Sequence, residues 1–248
     1  MLPGGVLPAS LAYEALSKEL GAEVHAVAKE LEVYRDEAPP SGYTLDVEVA
    51  GILRCADESG FDRFHLVGYS GGGASSLAFA AAHPGRLRSL ALLEPAWAGN
   101  DDLSPEEAAV WDELRRVAEL PPEQMMPAFM AAQLRPGVEP PPPPPGPPPP
   151  WMSSRPAGLR AFINAFVSGE MDVDALRRFE RPVYFALGGR SNPAYYGQMA
   201  DRLSDVFMDF TLEVFEDRHH FDPPHRIEPE RVASSLRALW SRAELLPD

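Results

Sequence analysis

Short apolar runs alternate along this chain with segments whose apolar residues recur at helical spacing. The runs at residues 63–67, 87–93, 183–187 and 210–215 have the length and composition of buried strands. A further strand is expected within residues 23–34, where Val24, Ala26 and Ala28 alternate with more polar positions. Helices are expected at residues 9–20, 45–59, 71–82, 194–203 and 229–243. This alternation predicts a parallel α/β sheet with helices around it.

Residues 99–180 interrupt the alternation with helical patterns alone. Ser104 is followed by Pro105, Glu106 and Glu107, a strong helix start, and further helices are expected at 122–134, 156–167 and 172–179. Residues 140–150 are almost pure proline, which predicts extended polyproline II or disorder and favours a spacer over a ligand for an SH3-like groove. We therefore expect residues 1–98 and 181–248 to form the core and residues 99–180 to form a helical lid over the carboxyl edge of the sheet.

The most informative motif is Gly68-Tyr69-Ser70-Gly71-Gly72, a G-x-S-x-G match between a predicted strand and a predicted helix. In a nucleophile elbow, glycines on both sides of the serine let the strand and the helix approach closely, so the hydroxyl stands above the sheet edge. The free N–H groups of the helix start then face any anion that forms there. A tight turn with an incidental serine is the alternative, but the strand before and the helix after favour Ser70 as a nucleophile.

Composition disfavours several classes of protein. The chain has 248 residues, which suits one α/β domain with a sizeable core. Its formal net charge of −15 and pI of about 4.8 disfavour nucleic acid and anionic membrane surfaces as partners. A single cysteine, Cys55, excludes an internal disulfide and fits a reducing compartment. Because no apolar run approaches the ~18 residues of a membrane span and no leader pattern opens the chain, we expect a soluble cytoplasmic protein.

The order of these motifs resembles the α/β-hydrolase superfamily, in particular its small lid-bearing bacterial members. A strand leads to the Gly-Tyr-Ser-Gly-Gly elbow, and the next strand ends in Leu-Leu-Glu-Pro. After the lid, a strand ends in Gly-Gly-Arg-Ser-Asn-Pro, and a His-His-Phe turn precedes the last helix. The resemblance covers nearly the whole chain and implies a mostly parallel sheet flanked by helices, but the first strands of the family are absent. Either that part of the sheet is missing or the native start lies upstream.

The resemblance implies a Ser-His-acid triad. The family's base follows the last strand, which means His219 or His220, and we prefer His220 because an apolar residue follows it. The acid usually stands where this chain has Asn192, an amide without charge. The second known location of the family's acid, Glu94 at the end of the strand after the elbow, is therefore favoured, with Asn192 expected as a neighbouring polar contact. The order Ser70, Glu94, His220 matches the family's order. Paired histidines can also bind metal, but no metal-binding motif accompanies them.

The resemblance also implies an oxyanion hole made of two backbone N–H groups. Gly71 supplies the first at the helix start. Gly5 is expected to supply the second, from a loop in which Pro3 takes the place of the family's histidine. His225, near the triad in sequence, is interpreted as a surface or capping residue.

The expected activity is therefore that of an esterase-like serine hydrolase acting on carboxylic esters or related acyl compounds through an acyl-enzyme. The substrate is a small acyl-containing molecule, and neither a cofactor nor a metal is implied. A cofactor-free perhydrolase could use the same triad. The alternative from a different functional class is a catalytically weak or inactive scaffold that binds ligands or partners. It is favoured by Asn192, by the truncated N-terminal start and by the proline spacer. The sequence leaves the oligomeric state open.

Overall fold

A parallel sheet forms the centre of the structure, a computed structural model that describes residues 1–142 and 145–246. Within these residues it has four strands in chain order, β1 (Phe64–Ser70), β2 (Leu87–Pro95), β3 (Val183–Gly188) and β4 (Phe210–Phe215). All three neighbouring pairs are parallel, so the carboxyl ends of all four strands meet at one edge. The predicted α/β class and its four principal strands are confirmed.

Helices follow or separate the strands on both faces of the sheet. In the described part of the chain they are α1 (Ala9–Ala12), α2 (Glu14–Leu20), α3 (Leu45–Glu58), α4 (Gly71–Ala82), α5 (Pro105–Glu119), α6 (Pro122–Ala132), α7 (Arg155–Ser168), α8 (Val173–Arg177), α9 (Gln198–Val206), α10 (Pro224–Ile227) and α11 (Pro229–Glu244). Short 3-10 turns occupy Glu32–Tyr34, Pro84–Arg86 and Pro150–Ser154, and a π-helical turn occupies Pro193–Gly197.

Successive strand residues enter two apolar clusters on opposite faces of the sheet, as the period of two in a strand requires. Leu66 and Leu90 pack in one cluster with residues of α3, α4 and the helices between β2 and β3. Val67 and Ala91 pack in the other with residues of α2 and α11. Both faces of the sheet are thus covered, which explains why its strands are apolar runs and do not alternate with polar residues.

The strand predicted within residues 23–34 is wrong. This segment is an irregular loop that ends in the 3-10 turn Glu32–Tyr34. Met1 is paired with this loop: the Met1 amine donates to the Val27 carbonyl (2.7 Å), and the Met1 carbonyl accepts from the Lys29 N–H (3.0 Å). Leu2 in turn makes a single parallel bridge beside β1 at Gly68. Because Met1 and Leu2 make too few backbone hydrogen bonds to form a strand ladder, the alternating residues at 23–34 do not form a regular strand.

Helices dominate residues 99–180, as predicted. Ser104 begins α5 with a complete capping box, because its hydroxyl accepts from the Glu107 N–H (3.1 Å) and the Glu107 carboxylate accepts from the Ser104 N–H (3.2 Å). The described prolines of residues 140–149 have no regular structure and are mostly exposed, whereas Pro143 and Pro144 lie outside the described residues. The described prolines of this stretch are therefore not part of the core.

A buried carboxylate anchors the loop that precedes α3. Glu48 is fully buried in α3 and accepts from the N–H groups of Glu32 (2.9 Å) and Val33 (3.0 Å) and from the hydroxyl of Tyr43 (2.9 Å). Burial raises the pKa of Glu48, and the donated hydrogen bonds oppose that shift. These contacts fix the turn that carries Tyr34.

Replacing Glu48 with alanine should lower the free energy of unfolding by about 3 kcal/mol, because it leaves two buried N–H groups and a tyrosine hydroxyl without their acceptor. Urea denaturation of the wild type and Glu48→Ala measures the difference. Asp46→Ala is the matched control, since Asp46 is an exposed acid of the same helix turn and should cost less than about 1 kcal/mol. Equal losses in the two variants would contradict the anchoring role.

Candidate active site

The elbow joins β1 to α4 through a residue with unusual backbone geometry. Ser70 has a φ of 52°, in the left-handed region, and α4 begins at the next residue. Gly68 is required two residues earlier, because a Cβ there would lie 2.3 Å from Ser76 Oγ and 2.4 Å from the Gly72 carbonyl oxygen. The close approach of strand and helix predicted from the motif is present.

Three predicted residues meet at the carboxyl edge of the sheet. His220 Nε2 lies 3.0 Å from Ser70 Oγ, and His220 Nδ1 lies 3.1 Å from a carboxylate oxygen of Glu94. The exposed fractions of these residues are 5% for Ser70, 1% for His220 and 2% for Glu94. Since an ionised carboxylate only accepts, Nδ1 carries the proton and Nε2 is free to accept from the serine hydroxyl.

A bulge at the end of β2 aims Glu94 at the histidine. Tyr69 pairs with Leu93 and Ser70 pairs with Pro95, so Glu94 is the extra residue in its strand. Its φ of 46° is also in the left-handed region. The second carboxylate oxygen accepts from the Gly188 N–H at the end of β3 (2.8 Å). Both oxygens of Glu94 therefore have donors, and the carboxylate is held in one orientation.

Two tyrosines that the sequence analysis did not single out hold His220. The Tyr69 hydroxyl donates to the His220 carbonyl oxygen. The Tyr196 ring stacks on the imidazole, with ring centroids 4.6 Å apart and an interplanar angle of 17°. Tyr69 is the variable residue of the elbow motif, and nothing in the pattern marks either tyrosine as a neighbour of the histidine.

The second-choice residues lie elsewhere. His219 Nδ1 accepts from the Phe221 N–H (3.2 Å), and burial lowers the pKa of this imidazole. Asn192 donates to the Ala132 carbonyl (2.9 Å) and accepts from the Ala194 N–H (3.1 Å), so its side chain joins the end of α6 to the turn after β3. The amide does not orient His220, and the expected polar contact of Asn192 with the triad is not formed.

Gly5 and Gly71, the predicted oxyanion donors, line one cavity together with Ser70. The loop of Gly5 is fixed at several points: the Pro3 carbonyl accepts from the Gly72 N–H (3.0 Å), and the Gly5 carbonyl accepts from the Tyr34 hydroxyl (2.8 Å). The Arg155 guanidinium lies 3.9 Å from the centroid of the Tyr34 ring. Side chains from α7 and from the loop before α3 thus hold the backbone next to Ser70.

The cavity beside Ser70 is narrow and apolar. Its volume is about 20 Å³, roughly the room that one water needs. Its walls come mainly from α5, α6, α7 and the π-helical turn, and they are Trp111, Leu114, Phe129, Gln133, Leu159, Phe162, Ile163, Phe166 and Tyr195. Among the described residues, no charged side chain lines it. The Gln133 amide is already occupied by the Phe129 carbonyl and the Tyr196 hydroxyl.

Two further searches concern metals and membranes. In residues 1–142 and 145–246, no group of three or more His, Cys, Asp or Glu side chains is arranged to hold a metal ion. Over the same residues, no helix has the length and apolar character needed to cross a bilayer.

The interpretation of His225 as a surface or capping residue is wrong. His225 is completely buried in α10, and its ring packs against Tyr13 and Tyr69, with centroids 5.1 and 4.7 Å away. Neither ring nitrogen has a hydrogen-bond partner among the described residues. Burial lowers the pKa of His225 to about 3. Sequence alone does not indicate this burial, because the turn around His225 is rich in proline and charged residues.

Replacing His225 with phenylalanine should reduce the loss of stability in acid. The unfolded chain protonates His225 near its ordinary pKa of about 6.5, whereas the folded protein binds that proton only near pH 3. Between these values the unfolded state binds more protons, so the wild type loses stability as the pH falls. From pH 6.5 to 4.5 it should lose about 2.5 kcal/mol more than His225→Phe. Urea unfolding at each pH measures this, and parallel curves for the two proteins would contradict it.

Comparisons with known proteins identify the same type of fold. Residues 35–140 match a family model described as the alpha/beta hydrolase fold. The matched segment contains Ser70 and Glu94 and ends before His220. A search of curated proteins finds no match.

Solved structures resemble this chain over nearly its whole length. An esterase from Thermogutta terrifontis with malate bound is 18% identical, with a TM-score of 0.72 over 98% of this chain and 88% of that one. A meta-cleavage product hydrolase from Pseudomonas fluorescens IP01 is 14% identical, with a TM-score of 0.63 over 98% and 89%. The carboxylesterase CesB from Bacillus subtilis is 15% identical, with a TM-score of 0.62 over 96% and 81%. At these identities the likeness is one of fold.

Proposed function

We propose that the chain is a member of the α/β-hydrolase superfamily and a serine hydrolase that cleaves carboxylic esters or related acyl compounds through an acyl-enzyme. The observation that carries the proposal is the continuous contact from Ser70 Oγ through His220 to Glu94, with distances of 3.0 and 3.1 Å. All three side chains are buried, and Ser70 lines a cavity. A nucleophile, a base and an orienting acid within hydrogen-bond reach form the arrangement that acyl transfer requires.

In the first half of the reaction, Ser70 Oγ attacks the substrate carbonyl carbon while His220 Nε2 takes the hydroxyl proton. The Glu94 carboxylate keeps the other ring proton on Nδ1 and stabilises the imidazolium that forms. Charge develops on the carbonyl oxygen, and the N–H groups of Gly5 and Gly71 donate to it. His220 then gives its proton to the leaving alcohol oxygen, and the acyl group stays on Ser70.

In the second half, a water molecule attacks the acyl carbon and His220 Nε2 takes its proton. The same two N–H groups stabilise the second tetrahedral intermediate, whose collapse releases the carboxylic acid and returns the proton to Ser70 Oγ. No cofactor enters this sequence. The buried position of the three side chains strengthens each of these electrostatic interactions, because little solvent screens them.

We further propose that residues 99–180 act as the lid of this site and determine the substrate. Helices α5, α6 and α7 supply most of the cavity walls, all of them uncharged. A small neutral acyl compound suits such a cavity, because a charged group would lose its hydration without gaining a partner. The acidic net charge of −15 and the single cysteine are compatible with a small-molecule enzyme of the cytoplasm.

A fluorophosphonate probe should add one covalent adduct to the wild type and none to Ser70→Ala, because such a probe needs a serine with a working base and oxyanion hole. Intact-mass analysis measures the adduct. Ser75→Ala is a useful control, since the buried Ser75 hydroxyl one helix turn away already donates to the Gly71 carbonyl (2.9 Å) and should leave the adduct unchanged. Absence of an adduct on folded wild type would reject the hydrolase and favour a binding scaffold.

Replacing Glu94 with glutamine should lower kcat by about 10³- to 10⁴-fold with little change in KM. The amide can donate to Nδ1 and so favours the tautomer whose Nε2 carries a proton and cannot accept from Ser70. Asn192→Ala is the matched control, because Asn192 occupies the family's usual acid position and does not contact His220. Steady-state kinetics with p-nitrophenyl acetate tests both. A large loss in Asn192→Ala with a small one in Glu94→Gln would reverse the assignment of the acid.

A further inference from the structure

One aromatic side chain of α7, Phe162, lies close to Gly71 and near Gly5, the two residues of the proposed oxyanion hole, and lines the same cavity as Ser70. A Cβ built on Gly71 would lie 3.1, 3.2 and 3.5 Å from Cζ, Cε2 and Cε1 of Phe162. A Cβ built on Gly5 would lie 3.9 Å from Phe162 Cδ2. The edge of the Phe162 ring therefore borders the space that a bound carbonyl group must enter.

Other aromatic rings hold Phe162 in this position. It stacks on Phe166 of the same helix, with ring centroids 5.3 Å apart and an interplanar angle of 28°. Tyr43 meets it edge-on, with centroids 5.5 Å apart and an angle of 87°. The side chain is buried, so the ring is a fixed part of the cavity wall.

Phe162 and His220 contact different aromatic side chains. His220 has ring contacts with Tyr69, Tyr196 and Phe221. Phe162 has ring contacts with Tyr34, Tyr43 and Phe166, and the two sets share no residue. Because His220 Nε2 must protonate the leaving alcohol oxygen, the alcohol extends toward the histidine and the acyl group extends toward α7.

We propose that Phe162 is the residue that limits the length of the acyl group, and that the substrates are esters of short, uncharged acyl groups. This inference rests on the proposed function. The cavity that Ser70 and Phe162 both line is small, so the shortest acyl groups should fit it best and each further methylene should meet the Phe162 ring. The uncharged walls disfavour an acyl group that carries a second carboxylate.

The test compares kcat/KM for p-nitrophenyl acetate, butyrate and octanoate in the wild type and in Phe162→Ala. The wild type should prefer acetate, and the variant should raise the octanoate-to-acetate ratio at least about tenfold, the scale on which hydrophobic pockets discriminate chain length. Phe207→Ala is the matched control, because Phe207 is equally buried but packs against Phe179 away from the cavity. It should leave the ratio unchanged. Phe162→Leu, a smaller truncation, replaces Phe162→Ala if that variant does not fold, with a smaller shift in the same direction.

A second series separates the acyl side from the alcohol side. Acetate esters of ethanol, butanol and octanol should give the same relative rates in the wild type and in Phe162→Ala. A shift in this series, or no shift in the acyl series, would overturn the role of Phe162 while leaving the hydrolase intact. If hydrolysis of p-nitrophenyl acetate by the wild type persists in Ser70→Ala, or is absent altogether, the proposed function fails and this inference fails with it.

Discussion

The Glu94 carboxylate connects the ends of all four strands. It is on β2, one oxygen accepts from the Gly188 N–H at the end of β3, and the other meets His220, which follows β4. His220 in turn contacts Ser70 at the end of β1. Since both oxygens are bound and the side chain is buried, loss of this carboxylate would leave a backbone N–H and an imidazole without acceptors. The end of β3 and the candidate site are therefore held by the same group.

Two of the three site residues have backbone conformations that are costly for side chains with a Cβ. Ser70 and Glu94 have φ values of 52° and 46°, and such residues cost on the order of 1–3 kcal/mol each. The glycines of the elbow make one of them tolerable, because they allow α4 to pack directly against β1. The bulge makes the other possible, because Ser70 pairs with Pro95 and Ala96 donates to the Ser70 carbonyl beyond it. Both backbone conformations direct their side chains toward His220, and packing in the surrounding sheet offsets their conformational cost.

Much of this arrangement could be predicted from the sequence, because its signals are local. Each of these signals depends on residues that are close together in the chain, as in the elbow, the four apolar strands and the helix start at Ser104. The preference for Glu94 over Asn192 came from a family resemblance, and the Asn192 side chain instead joins the end of α6 to the turn after β3. The loop at residues 23–34 could not be predicted, because an alternating pattern does not reveal whether a partner strand exists. The burial of His225 was equally hidden, since it depends on Tyr13 and Tyr69, which are more than 150 residues away in the chain.

The loop that carries Gly5 shows how a site can be ordered where a sheet offers little support. Leu2 makes only a single bridge beside β1, so side chains supply what a longer strand would otherwise provide. Glu48 fixes the turn of Tyr34, the Tyr34 hydroxyl donates to the Gly5 carbonyl, and Arg155 covers the Tyr34 ring. Arg155 and Phe162 belong to the same helix, α7. The helix that borders the acyl side of the cavity thus also supports the loop proposed to bind the oxyanion, and a displacement of α7 would alter the size of the cavity and the position of a proposed catalytic donor together.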